Sequence, residues 1–302
     1  MRWDKFRKSN NVDDVRGQTS RRGMSFGRSG GGRRLRLPRG RGGKVSIWGI
    51  VIMVGIAWLL GINPLDLLMG GGGTQQPAQQ TQSSGTYKSS ADETKKIQFV
   101  QEVLGSTEDI WHQIFKEMGR TYQEPKLQVF KNLTTATACG QQTSAAGPFY
   151  CPPDKKIFID LAFFNQMDRE FGVKGEFARA YVIAHEVGHH VQNILGISGK
   201  VQQQRSRLSR EEGNKLSVKI ELQADCFAGV WAKRAEDQVG YLEEGDVQSA
   251  IKAATAIGDD NLQKKAQGYV VPESFTHGTS EQRVKWFRKG LQSGDVGQCA
   301  FN

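Results

Sequence analysis

Residues 185–190 read His-Glu-Val-Gly-His-His, and this short stretch governs how the rest of the chain is interpreted. On a helix, residues four positions apart share one face, so the imidazoles of His185 and His189 converge with Glu186 beside them. Two neutral histidines are typical Zn²⁺ ligands, and an adjacent glutamate can take the proton from a water that attacks a carbonyl group. The stretch therefore predicts a catalytic metal site.

The alternative is an ordinary pair of histidines in the core or on the surface. Residues 175–184 before the stretch have helical character, and Val191 and Ile194 continue an apolar stripe after it. Two imidazoles without partners would be costly to bury in such an apolar helix. We therefore favour the metal site.

A third ligand is expected from a second helix, over about residues 214–236. Glu221 and Asp225 lie one helical turn apart there, and Glu221 follows His189 by 32 positions. Glu221 would bind the metal, and Asp225 would accept the ring N–H of a ligand histidine. Such a pair usually lies on a solvated helix face, but here its neighbours are mostly apolar: Leu222, Ala224, Cys226, Phe227, Ala228 and Val230.

These stretches resemble the gluzincin metallopeptidases, in HEVGHH at 185–190 and ELQADCFAG at 221–229. More closely, the whole chain is similar to the bacterial family described as putative neutral zinc metallopeptidases. Further similar segments extend the resemblance over nearly all 302 residues: MRW at 1–3, NVDDVRG at 11–17, GPFYCP at 147–152 and HGTSEQR at 277–283. The resemblance implies a zincin-like domain that hydrolyses peptide bonds in a peptide or protein substrate.

The resemblance also implies roles for individual residues. One Zn²⁺ would be held by His185, His189 and Glu221, with Glu186 as the general base for the zinc-activated water and Asp225 behind a ligand. His277, in a polar loop, could stabilise the oxyanion of the tetrahedral intermediate, with Arg283 as a weaker candidate. The alternative for His277 is an ordinary loop histidine. His190 points about 100° away from His189 on a helical wheel, so we do not expect it to bind metal.

Residues 149–160 predict two short strands about a turn at Pro152-Pro153-Asp154. Prolines confine such a hairpin to the edge of a sheet. A peptide substrate could bind there as an added strand. A purely structural hairpin is the equal alternative.

Residues 45–65 carry no charge and are long enough for one membrane crossing. Residues 1–44 carry 14 Lys and Arg against 3 Asp and Glu, a net charge of +11, whereas residues 45–302 carry 27 against 28, a net of −1. By the positive-inside rule, this predicts a single-pass anchor in the bacterial inner membrane. The N-terminus would be cytoplasmic and the catalytic domain periplasmic or extracellular.

The basic tail, residues 1–44, is also rich in glycine and arginine, as some nucleic-acid-binding segments are. No folded nucleic-acid-binding module accompanies it, so attraction to anionic lipids is favoured and nucleic acid is not expected as a partner. Residues 66–90 are expected to form a flexible linker.

Residues 91–302 are long enough for one globular domain. The pattern predicts an α+β fold, mostly helical, with a small edge sheet. The expected elements are two short helices over about 91–118, a strand at 126–130, the hairpin, the metal helix, the Glu221 helix, and helices near 246–257 and 280–291.

All four cysteines lie in this domain, at 139, 151, 226 and 299. An even count in an exported domain permits two disulfides. Of the three pairings, Cys139 with Cys151 and Cys226 with Cys299 is the simplest. Zinc binding by cysteine is not favoured, because the chain has no C-x-x-C pair.

Two classes of function remain open. The first is a membrane-anchored zinc peptidase, and the second is a zinc-stabilised binding or adaptor protein that cleaves nothing. Glu186 favours the first, because metal retention alone does not require a base. The sequence indicates neither the particular substrate nor the oligomeric state.

Overall fold

The fold combines eight α-helices with two small sheets over the residues that the computed structural model describes, 1–16, 89–131, 135–142 and 147–301. The helices are α1 (Ala91–Glu117), α2 (Ala162–Glu170), α3 (Glu176–Ile194), α4 (Ile197–Arg205), α5 (Arg210–Val239), α6 (Asp246–Ala256), α7 (Asp259–Gln267) and α8 (Ser280–Ser293). The strands are β1 (Val12–Asp14), β2 (Lys126–Phe130), β3 (Thr135–Thr137), β4 (Gly140–Gln142), β5 (Phe149–Cys151) and β6 (Lys156–Asp160). The predicted α+β class, mostly helical, is confirmed.

The main sheet has four strands in the order β1-β2-β6-β5. β2 is parallel to both β1 and β6, whereas β5 is antiparallel to β6, with Phe149 opposite Phe158 and Cys151 opposite Lys156. The predicted hairpin is therefore present, and β5 lies at the edge of the sheet. β3 and β4 form a separate antiparallel pair.

A single 27-residue helix, α1, occupies the region for which we predicted two short helices. It begins with a capping box in which Ser90 and Glu93 satisfy each other's backbone N–H groups. Gly105 lies inside this helix. A Cβ there would overlap the carbonyl oxygen of Arg7, because the N-terminal segment crosses the helix at this point.

Residues 1–16 belong to the same compact unit as the residues from 89 onward. β1 pairs with β2, so that Val12 lies opposite Leu127. The α-ammonium group of Met1 is buried and lies 2.8 Å from Glu243 and 3.1 Å from Asp246. Residues 1–16 thus contribute a strand and a buried ion pair to the domain.

The predicted location, with the N-terminus and the catalytic domain on opposite sides of a membrane, is wrong. Among the described residues, no helix has the length and apolar character needed to cross a membrane. β1 is also hydrogen-bonded to β2 of the domain, which two sides of a membrane would not allow. The charge count treated residues 1–44 as one tail and could not detect this long-range pairing. The candidate span 45–65, residues 17–44 and residues 66–88 of the linker lie outside the described residues.

Close contacts between α3, α5 and α8 determine where the functional side chains meet. Gly188 of α3 faces Ala224 of α5, and a Cβ at Gly188 would lie 3.1 Å from the Ala224 backbone. Farther along α5, a Cβ at Gly229 would overlap the backbone of α8, and a Cβ at Gly290 of α8 would overlap the backbone of α5. These glycines allow the three helices to approach more closely than larger residues would permit.

Candidate metal and catalytic site

The close approach of α3 and α5 brings two histidines and a carboxylate to one point. His185 Nε2 lies 3.1 Å from Glu221 Oε2, and His189 Nε2 lies 3.4 Å from Glu221 Oε1. The donor atoms of these three residues all lie within 4.8 Å of one another. They could hold a metal ion, and two imidazoles with one carboxylate are a typical donor set for catalytic zinc.

Asp225 lies behind His185, one helical turn along α5 from Glu221. Its Oδ1 accepts a hydrogen bond from His185 Nδ1 at 2.8 Å and from the Tyr181 hydroxyl at 2.5 Å. Arg283 donates to both carboxylate oxygens, from Nε and Nη2, at 2.9 Å each. Because a carboxylate only accepts, Nδ1 of His185 carries a proton, which leaves Nε2 as the ring nitrogen that could bind a metal ion.

The Nδ1 atom of His189 also has a partner, since it lies 2.9 Å from Gln192 Oε1. In both histidines, therefore, Nδ1 has a hydrogen-bond partner and Nε2 is directed towards Glu221. This arrangement fits a metal ion, because the two lone pairs and the carboxylate converge on one point.

Charge coupling within the cluster is strong. Burial disfavours the charged form of His185, but Asp225 and Glu221 overcome this and raise the pKa of His185 to about 9. Burial also opposes ionisation of Glu221, yet His189 and His185 hold the pKa of Glu221 well below its ordinary value. Positive charge is therefore favoured at this point, as it would be for a bound cation.

Glu186 directly follows His185 on α3 and lines a cleft with His185, His189 and Glu221. Its side chain is buried, and burial raises its pKa, with the charges of His189 and His185 opposing this. A carboxylate with a raised pKa is a better proton acceptor near neutral pH than an exposed one.

His277 forms another part of the cleft wall, and Asp259 holds it there. Asp259 Oδ2 accepts hydrogen bonds from the backbone N–H groups of Thr276, His277 and Gly278 at 2.7, 2.6 and 3.0 Å. Asp259 Oδ1 lies 3.1 Å from His277 Nδ1, and this hydrogen bond raises the pKa of His277. Sequence reasoning missed Asp259. Two acidic residues at a helix start were the only signal, and they do not identify a partner 18 positions away.

Arg283, the weaker oxyanion candidate, lines the cleft but binds Asp225. Its side chain is buried, its guanidinium group donates to both oxygens of Asp225, and its Nη2 also lies 3.4 Å from the Tyr181 hydroxyl and from His185 Nδ1. It therefore supports the orientation of His185. His190 points away from the metal cluster, with Nδ1 3.0 Å from the Tyr150 hydroxyl and Nε2 2.6 Å from the Gln123 carbonyl oxygen.

The cleft has a volume of about 550 Å³, and strand β5 forms one wall through Phe149 and Tyr150. Asn193 of the metal helix holds this wall by donating to the Tyr150 hydroxyl at 2.9 Å and to the Pro152 carbonyl at 3.2 Å. Apolar side chains line the rest of the cleft away from the metal cluster: Phe163, Phe171, Val182, Ile257 and Leu262. The edge strand thus lies directly beside the candidate metal site.

Both predicted disulfides are present, Cys139–Cys151 and Cys226–Cys299. None of the four cysteines is free to bind metal. Two disulfides indicate an oxidising compartment. The second one joins α5, directly after Asp225, to the C-terminal end of the chain.

Comparison with known proteins identifies the family. The model of the family described as "Putative neutral zinc metallopeptidase" matches residues 1–301. The chain is 48% identical over 299 residues to the uncharacterized protein YpfJ of Escherichia coli K12, covering 99% of this chain and 98% of that protein. It is 38% identical over 259 residues to an uncharacterized protein of Mycobacterium tuberculosis H37Rv, covering 80% of this chain and 84% of that protein. No solved structure has significant similarity to the chain. The chain belongs to this zinc metallopeptidase family.

Proposed function

We propose that this member of the family is a zinc-dependent endopeptidase that cleaves peptide bonds in an extended segment of a peptide or protein. The observation that supports this most is the position of Glu186. It directly follows His185 on α3 and lines the same cleft as His185 and His189. A site that only retained metal would need no buried carboxylate at this position.

Zinc, Glu186 and His277 would have separate roles in the hydrolysis. Bound zinc would act as a Lewis acid that polarises the scissile carbonyl group and lowers the pKa of water. Glu186 takes the proton from the attacking water and delivers it to the leaving amine, for which its place in the cleft beside both histidines suits it. His277, oriented by Asp259, donates from Nε2 to the developing oxyanion, and its raised pKa favours the form that donates.

Strand β5 supports the assignment of an extended peptide as the substrate. Within the described residues, β5 pairs only with β6, so its other edge offers backbone groups to an incoming strand. The apolar side chains across the cleft would receive apolar side chains of the peptide.

The test is cleavage of an unfolded, alkylated protein by the full chain loaded with zinc. Glu186→Gln is expected to retain zinc but to lose activity by about 10²- to 10⁴-fold, because an amide cannot accept the proton. Glu176→Gln, at the start of the same helix, is the matched control and should behave as wild type. Equal cleavage by wild type and Glu186→Gln would contradict the proposal. Zinc binding without any chelator-sensitive cleavage would favour the non-cleaving adaptor.

A further inference from the structure

Two buried glutamines lie behind His189, on the side away from the metal position. Gln192 is one turn along α3 from His189, and Gln223 is on α5, two positions after the ligand Glu221. Their exposed fractions are 0% and 5%. Because burying an amide without partners is costly, each of their polar atoms needs a matched partner.

The two side chains form a continuous chain of hydrogen bonds that ends on backbone carbonyl groups. Gln192 Oε1 lies 2.9 Å from His189 Nδ1. Gln192 Nε2 donates to the Ile220 carbonyl oxygen at 2.7 Å and to Gln223 Oε1 at 3.1 Å. Gln223 Nε2 donates to the Cys299 carbonyl oxygen at 3.0 Å.

The donor and acceptor in each of these hydrogen bonds follow from the backbone carbonyl groups of Ile220 and Cys299. A backbone carbonyl only accepts, so Gln223 must place its NH₂ group against Cys299 and its oxygen against Gln192. Gln192 must then direct its own NH₂ group towards Gln223 and Ile220, which leaves its oxygen facing His189. The imidazole can satisfy that oxygen only with an Nδ1–H group.

We infer that Gln192 and Gln223 are positioning residues that fix the tautomer and ring orientation of His189, so that its Nε2 lone pair faces the zinc. This inference rests on the zinc site of the proposed function and gives the second ligand histidine its own support. His185 has a carboxylate in this role, Asp225, whose charge is balanced by the buried Arg283. His189 has neutral amides, which orient the ring without adding another charge to the site.

The two backbone carbonyl groups that accept these hydrogen bonds are themselves held in place. The Ile220 carbonyl directly precedes the ligand Glu221 on α5. Cys299 is buried and joined by its disulfide to Cys226, also on α5. The orientation of His189 on α3 therefore depends on atoms attached to the helix that supplies the third ligand.

Zinc affinity of the full chain, measured by competition with a chromophoric chelator, tests this inference without any peptide substrate. Gln192→Met has a similar volume but cannot accept from His189, so it should weaken zinc binding by about 10- to 100-fold. Gln192→Glu still accepts from His189 Nδ1–H, although it also loses donation to Ile220, so it should bind zinc more tightly than Gln192→Met. Gln203→Met, exposed on α4, is the matched control and should bind as wild type does.

Gln223→Met leaves the hydrogen bond between Gln192 and Ile220 in place, so it should weaken zinc binding less than Gln192→Met. It also provides a second measurement if Gln192→Met does not fold. Comparing Gln192→Met with Gln192→Glu separates positioning from packing, because only the glutamate still accepts a hydrogen bond from His189 Nδ1–H.

Two results would overturn the inference: wild-type zinc affinity in Gln192→Met, or equal losses in Gln192→Met and Gln192→Glu. The second would assign Gln192 to packing alone. Zinc binding that follows the expected order in a protein without cleavage activity would contradict the proposed function but support this inference. A wild-type chain that binds no zinc would overturn both.

Discussion

Replacing Arg283 with Met should destabilise the zinc-free protein far more than the loss of an ordinary ion pair. Arg283 and its partner Asp225 have side chains that are 2% and 0% exposed. The substitution removes two hydrogen bonds of 2.9 Å and leaves the buried carboxylate with only His185 and Tyr181 as donors. Removing one partner of a buried charge pair costs about 3–5 kcal/mol, so we expect a loss of that size.

Arg234→Met is the matched control, because Arg234 also binds both oxygens of one carboxylate, that of Glu117, at 3.0 and 3.1 Å. This pair is partly exposed, with 29% and 45% of the side chains accessible. Screening by solvent reduces such a pair to about 0–1 kcal/mol, and the hydrogen bond from Arg234 Nε to the Gly294 carbonyl oxygen at 2.7 Å adds about 0.5–1.5 kcal/mol, so the control should lose clearly less than Arg283→Met.

The assay is urea denaturation of the full chain in the presence of a chelator, with the slope compared between variants. The loss in Arg283→Met should become smaller at acidic pH. The charge of Arg283 helps hold the pKa of Asp225 below its ordinary value against the effect of burial, so without it Asp225 takes up a proton more readily. Equal losses in Arg283→Met and Arg234→Met, or a loss below about 1 kcal/mol for Arg283→Met, would refute the reasoning.

Three further predictions concern other parts of the molecule. Gly290→Ala should lower the free energy of unfolding by about 3 kcal/mol or more, because its Cβ would overlap α5, whereas Gly199→Ala, with no atom within 4 Å, should leave it unchanged or slightly higher. The Met1 ammonium group has a pKa raised above 8.0, since its acidic partners outweigh burial, so its stabilisation is complete below pH 8 and lost as pH rises through the raised pKa. Asp246→Asn should therefore flatten the dependence of unfolding free energy on pH above 8. His277→Ala should lower kcat by about 10²- to 10³-fold without changing zinc content, and unchanged kcat would exclude His277 from oxyanion binding.

The three candidate metal ligands, His185, His189 and Glu221, are the part of the site that sequence alone could predict. Its chemistry depends on local spacing within helices, four positions between His185 and His189 and four between Glu221 and Asp225. Such spacing places each pair on one face of its helix, however the helices pack against one another. The paired β5 and β6 strands were predictable for the same reason, because turn residues determine a hairpin locally.

Residues that support the cluster from a distance could not be predicted. Asp259 reaches His277 across 18 positions, and Gln223 reaches Cys299 across 76. Such contacts arise only when helices pack, and one sequence carries no signal of which distant polar groups will meet. Arg283 and Asp225 were both recognised as site residues, but their pairing was not, since a motif does not give the direction of a side chain.

The N-terminal segment illustrates the same limit with a larger consequence. Charge counting grouped residues 1–44 together, and the topology inferred from them was wrong. Strand β1 contains only three residues, and its partner β2 begins more than one hundred positions later. Neither composition nor periodicity could have predicted that pairing.

Zinc K-edge absorption of the purified chain tests the central claim most directly, because it reports both the metal and its ligand atoms. We predict one zinc per chain, with two imidazole nitrogens at about 2.0–2.1 Å, a carboxylate oxygen and no sulfur. His189→Ala and Glu221→Ala should each lose most of the bound metal. Absence of zinc from the wild type, a sulfur ligand at about 2.3 Å, or full retention of zinc in both variants would contradict the account.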